Sequence, residues 1–82
     1  MKSVLYTRTA ATALRKHANR AKLLRSKIRQ YAEDPTSQAN NVKSLTGVDA
    51  KRLRVGDFRA IFTETTDTIT ILDIGPRGGI YE

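Results

Sequence analysis

An α+β fold, with helices packed on one face of a small and mostly antiparallel sheet, follows from a change of period along this 82-residue chain. Apolar residues recur at helical spacing up to residue 33 and at strand spacing from residue 51. The polar, turn-rich stretch DPTSQANNVKSLTG lies between them. The predicted order is β-α-α-β-β-β, plus a short terminal segment, Gly79 to Tyr81, that can add one more strand. The length suits one domain, residues 1–82, with a core near the lower limit for folding alone.

Each element has a local reason. Ser3 to Tyr6 (SVLY) is a first strand, short and rich in strand formers. Thr7 or Thr9 offers an N-cap for a helix to about His17, with Ala10, Ala13, Leu14 and Ala18 as a thin apolar stripe. Asn19 suits a break. From about Arg20 to Glu33, Leu24, Ile28, Tyr31 and Ala32 form a stronger stripe with Leu23 at its margin, and Lys22, Arg25 and Arg29 occupy the other side. His17 reads as an exposed residue at a helix end.

Pro35 stops the second helix, and residues 34–47 read as a loop in which a strand can begin near Val42. Period two then governs Lys51 to Val55, Phe58 to Glu64 and Thr68 to Ile74, joined by turns at Gly56-Asp57 and Thr65-Thr66-Asp67. Simple alternation puts Phe58, Ala60 and Phe62 on one face of their strand, and Thr70, Leu72 and Ile74 on one face of the next. Gly75-Pro76 is expected to stop pairing.

Composition excludes several classes of function. With no cysteine and one histidine, neither a disulfide framework nor a zinc cluster is available, and no metal or other cofactor is expected. The opening segment is interrupted by Arg8, Arg15 and Lys16, so it reads as no cleavable signal, and no apolar run approaches bilayer length. A cytoplasmic protein without a membrane partner is the expectation. No nucleophile–base pair or carboxylate pair stands at useful spacing, and GPRGG lacks the following helix of a nucleotide loop.

The formal net charge is +7, from 15 basic and 8 acidic residues. Residues 1–32 hold nine Lys or Arg and no acid. Such a field raises encounter rates with nucleic acids and acidic peptides, and salt weakens it. In the strand half, Arg52 and Arg54 project to one face while Leu53 and Val55 project to the other, and Arg59 follows in the next strand. A sheet face of guanidinium groups matches phosphate oxygens, because arginine presents its donors as a fixed fork.

With those residues in place, the chain resembles the RelE/ParE superfamily, the toxins of bacterial and archaeal type II toxin-antitoxin pairs, and within it the RelE-like branch. The resemblance spans essentially the whole length and rests on RLRVGDFR, then IGPRG and a near-terminal tyrosine. It implies a toxin that enters the ribosomal A site, cleaves mRNA without a metal and so inhibits translation. On that resemblance Arg59, Arg77 and Tyr81 are the catalytic candidates and Arg52 and Arg54 the RNA-binding ones, while Lys51 is a further RNA-binding candidate, as acid or phosphate clamp, conditional on the strand face it occupies. Lys51 stands where many relatives carry an aromatic residue.

In such a reaction the 2′-hydroxyl attacks the phosphate, so Arg59 and Arg77 would stabilise charge on it. Tyr81 is left with two roles, general base or base-stacking platform. Lys51 is placed by alternation on the face opposite Arg52. The implied partners are the ribosome with its mRNA, and a cognate antitoxin, RelB-like or another small protein with an acidic tail. DNA would be met only indirectly, through an antitoxin complex. The ParE-like branch shares the architecture but implies inhibition of DNA gyrase without RNA cleavage. The terminal tyrosine, and an arginine face expected to carry no acid, favour the RNA reading.

Overall fold

The structure, a computed structural model, describes residues 1–76. The elements are β1 (Ser3–Tyr6), α1 (Arg8–Lys16), α2 (Ala18–Glu33), a kinked 3-10 segment (Pro35–Asn41), β2 (Val42–Ser44), β3 (Lys51–Val55), β4 (Phe58–Glu64) and β5 (Thr68–Pro76). The sheet runs in the order β1-β5-β4-β3-β2, with β1 parallel to β5 and the other pairs antiparallel. The α+β expectation holds, and the fifth strand is β2, at the position anticipated near Val42. The strand foreseen at Gly79 to Tyr81 lies outside the described residues.

Thr7 begins α1 and fastens it to the sheet. Its hydroxyl accepts from Ala10 N at 3.1 Å as the N-cap and donates to Leu72 O at 2.8 Å, while its backbone N–H donates to Ile71 O. That tie accounts for a departure from simple alternation. Ile61 pairs with Asp73 but Phe62 pairs with Ile71, leaving Leu72 as a bulge residue whose carbonyl is taken by Thr7. The bulge shifts the phase of β5. Ile74 therefore joins Ile69 and Ile71 in the core, and does not share a face with Thr70 and Leu72 as simple alternation has it.

Two other expectations are corrected. The helices break at His17 (φ −110°, ψ 50°) and not at Asn19; His17 is half-buried with its ring edge-on to Phe58, centroids 4.9 Å apart. Gly75 and Pro76 remain in β5, opposite Arg59 and Phe58. Beyond Ile71 the strand β1 has ended, so β5 has one neighbour there and a proline is tolerated as on an edge.

The helices cover one face. Ala10 and Leu14 from α1, and Leu24, Ile28, Tyr31 and Ala32 from α2, meet Leu53, Val55, Ala60, Phe62 and the three β5 isoleucines. Tyr31 stacks obliquely on Phe62 at 5.2 Å. The β3–β4 hairpin closes in two residues because Gly56 adopts φ +59°; a Cβ there would meet nothing within 4 Å, so the demand for glycine is torsional.

At the margin of this core, Glu64 is a clasp. Its carboxylate accepts from Lys2 Nζ at 2.6 Å, Tyr31 Oη at 2.7 Å and Lys51 Nζ at 3.0 Å, joining the N-terminus, α2, β3 and β4. Burial pushes the carboxyl up, but the three hydrogen bonds and the Lys51 charge outweigh it and hold Glu64 down at about 2. Burial and the bond to Glu64 raise the Tyr31 phenol, which stays a donor. A depressed folded-state pKa stabilises the fold above the ordinary carboxylate range and is lost as pH falls from about 4.5 towards 2. Thermal unfolding followed from pH 7 to pH 3 should show that loss, and Glu64→Gln should lower stability at pH 7 while flattening the decline. An unaltered decline in the variant would remove Glu64 as its cause.

Candidate functional site

The face of the sheet away from the helices is cationic at the end formed by β2, β3 and β4. Pairing register puts Arg54 directly opposite Arg59, and Lys43 directly opposite Arg52, with Leu53 and Ala60 turned to the core between them. Residues so paired lie about 4.5–5.5 Å apart at Cα. Like charges facing each other across strands cost a few tenths of a kcal/mol or more. This arrangement concentrates positive charge at one end of the sheet face, which an anionic ligand would offset. Lys43 belongs to the face but was not singled out in the sequence, because the extent of β2 and its register cannot be read from three residues in a polar loop.

The candidates differ in environment. Arg54 is exposed, Arg52 half-buried and Arg59 only 6% exposed, with Nη1 donating to Phe58 O at 3.2 Å. Arg54 is oriented by a chain of amides: its Nη2 donates to Asn41 Oδ1 at 3.2 Å, Asn41 Nδ2 to Gln38 Oε1 at 3.2 Å, and Gln38 Nε2 to Gln30 Oε1 at 2.9 Å. Gln38 is buried, so the relay anchors an exposed guanidinium to α2 through the 3-10 segment. Polar loop residues give no sequence signal of such a role.

Lys51 lies on the opposite face, as alternation requires, and is ion-paired to Glu64. The structure therefore does not bring it to the arginines. Arg77 and Tyr81 lie outside the described residues. One expectation about the face is overturned: the Leu72 bulge turns Asp73, paired with Ile61, to the arginine side, where its Oδ1 accepts from Ile74 N at 2.8 Å. Towards β1 the face passes to Thr63, Thr70 and Thr68, so the cations are concentrated at one end. Among the described residues, no three His, Cys, Asp or Glu side chains gather as metal ligands.

A concave region lies between β1, an edge strand, and α2. This groove of about 710 Å³ combines apolar Val4 and Ile28 with Lys2, Lys22 and Arg25, and the Arg25 guanidinium sits 5.0 Å above the Tyr6 ring. Burial raises the Tyr6 phenol against the opposing influence of Arg25. No described helix is long and apolar enough to cross a membrane.

Comparison with known proteins gives the class to which this helical hairpin on a five-stranded sheet belongs, a family of small toxins. Residues 4–81 match the family described as ParE toxin of type II toxin-antitoxin system, parDE. The chain belongs to this family, within the RelE/ParE superfamily. Its fold is similar to that of a chain in the archaeal RelE-RelB complex from Pyrococcus horikoshii OT3, with TM-score 0.77 and 24% identity over 95% of this chain and 97% of that one. YafQ from E. coli strain BL21(DE3) has TM-score 0.72 and 11% identity, covering 100% of both chains. A chain of the toxin-antitoxin complex RelBE2 from Mycobacterium tuberculosis has TM-score 0.67 and 22% identity over 93% and 98%. No curated protein sequence matches the chain.

Proposed function

We propose that this toxin is a ribosome-dependent mRNA endonuclease that works without a metal and is neutralised by a cognate antitoxin. The observation that carries the reading is the Arg54–Arg59 cross-strand pair, flanked by Arg52 and Lys43 on one sheet face. In the proposed reaction the 2′-hydroxyl attacks the adjacent phosphorus, its proton passes to a base, and the P–O5′ bond breaks with the departing O5′ taking a proton from solvent water, leaving a 2′,3′-cyclic phosphate and a 5′-hydroxyl. Arg59 and Arg77 stabilise the charge on the pentavalent phosphate, and Tyr81 serves as the base. Guanidinium remains protonated, so the arginines act by charge and hydrogen bonding alone. Arg52 and Arg54 hold neighbouring phosphates. Lys51 is better assigned to the Glu64 clasp than to RNA.

Addition of the purified chain to a translating extract tests this. Expected are mRNA cuts at the ribosomal A site with cyclic phosphate ends. Intact mRNA in an extract that a RelE control cuts would overturn it. The family description names ParE, and the ParE-like resemblance implies a second reading, inhibition of DNA gyrase; loss of gyrase supercoiling with mRNA intact selects it.

RelE-RelB and RelBE2 are complexes with antitoxins, and the β1–α2 groove suits such a partner here. An acidic segment seated there would set carboxylates on Lys22 and Arg25 and apolar side chains on Val4 and Ile28. Arg25→Glu should weaken antitoxin binding by about tenfold or more, roughly the 1.4 kcal/mol of one lost charge contact, in a calorimetric titration. Unchanged affinity would move the antitoxin elsewhere.

A further inference from the structure

We infer that the cleft where α2 meets the β3–β4 turn is a phosphodiester-binding subsite, and that Lys27 of α2 is one of its ligands. The inference rests on the RNA reading above but adds a helix residue and a second surface to it. The cleft, of about 400 Å³, is lined by Leu23 and Lys27 from α2, Asn41, Arg54, Val55 and Gly56 of the hairpin, and Arg59. Three cations from three elements converge on it, and no carboxylate is among the described lining residues.

Each wall has a feature that a nucleotide would use. Lys27 makes no ion pair among the described residues, unlike Arg29 on the far side of the same helix, which reaches Glu33 at 3.5 Å. Leu23 is one turn before Lys27 and 43% exposed, an apolar ledge beside a charged group. Arg54 is held by the Asn41–Gln38–Gln30 relay, so one donor of the subsite is oriented before any ligand arrives. The cleft continues the cationic face through Arg54 and Arg59 and carries it round the hairpin end towards α2. A single strand whose phosphate lies at Arg59 would place a neighbouring phosphate between Arg54 and Lys27, with sugar or base against Leu23.

Binding of a fluorescent 2′-O-methyl RNA decamer, which has no 2′-hydroxyl to react, separates this from cleavage. The full chain, Lys27→Gln and Arg29→Gln are titrated by anisotropy across a salt series. Each phosphate contact on a single strand contributes a slope of about −0.7 in log K against log salt. Lys27→Gln should make the slope shallower by about that amount and weaken binding several-fold at low salt, while Arg29→Gln leaves the slope unchanged. Asn41→Ala, which keeps every charge, should weaken binding without altering the slope by a full contact. A Lys27→Gln slope equal to that of the unaltered chain overturns the subsite, as does an equal loss in Arg29→Gln, which would mark a general field effect. Absence of any binding by the unaltered chain overturns both the subsite and the RNA reading. Binding with the expected slope change, but with mRNA left intact in the extract, preserves the subsite and removes only the cleavage.

Discussion

Arg59→Gln should lower mRNA cleavage by about 10² to 10³-fold, the scale of removing one preorganised donor from a developing anionic centre. Arg59 is placed for this by the centre of the sheet. It lies in β4, the central strand, flanked by β3 and β5, and is 6% exposed. Its backbone is thus held by ladders on both sides, and a guanidinium fixed in this way needs little reorganisation as charge builds on phosphate. Arg59→Lys keeps the charge but gives up the planar fork, so it should recover only part of the lost rate. Because the residue is buried, each variant is checked for an unaltered circular dichroism spectrum and for antitoxin binding. Cleavage at the original rate in folded Arg59→Gln would remove this arginine from the reaction. Full rescue by lysine would reduce its role to that of a point charge.

Phe62→Ala should be the most damaging change to the fold. Phe62 is 1% exposed, sits on the core face of the central strand and contacts the Tyr31 ring. Truncating a buried phenylalanine costs about 3–5 kcal/mol. Small domains have roughly 5–15 kcal/mol in total, and one of this size belongs near the lower end. At about 4–8 °C per kcal/mol for this length, the thermal midpoint should fall by at least roughly 12 °C, with a substantial unfolded fraction at 37 °C. A fall of only two or three degrees would mean that the core is centred elsewhere. The same substitution should also loosen the Glu64 clasp, since Tyr31 would lose the ring that holds its phenol towards the carboxylate.

Much of this architecture is legible in the chain because its signals are local. SVLY forms a strand with the expected bounds, and the two-residue turn at Gly56-Asp57 sets the register that pairs Arg54 with Arg59. Leu24, Ile28, Tyr31 and Ala32 are the buried stripe of α2, as their spacing implies. What escapes the sequence depends on partners distant along the chain. The bulge at Leu72 requires the Thr7 hydroxyl, 65 positions away, and no pattern within LDIGP announces it. From that bulge follow the burial of Ile74 and the presence of Asp73 beside the arginines. The break at His17 is likewise associated with Phe58, which a local reading of Asn19 cannot see. Of the site, the strand arginines were visible as a period-two pattern, whereas Lys43, Asn41 and Gln38 were not, since polar residues in a turn-rich stretch look alike until their neighbours are known.

The parallel pairing of β1 with β5 has a kinetic consequence. Ser3 finds its partner in Thr68, so the earliest strand to be synthesised has no neighbour until the latest one exists. Closing so long a loop carries its entropic penalty before any ladder bond repays it, so β1 can join the β2–β3–β4 meander only through β5. A nascent copy would therefore lack its β1 edge until β5 is complete, and that interval is the time available for a partner to arrive.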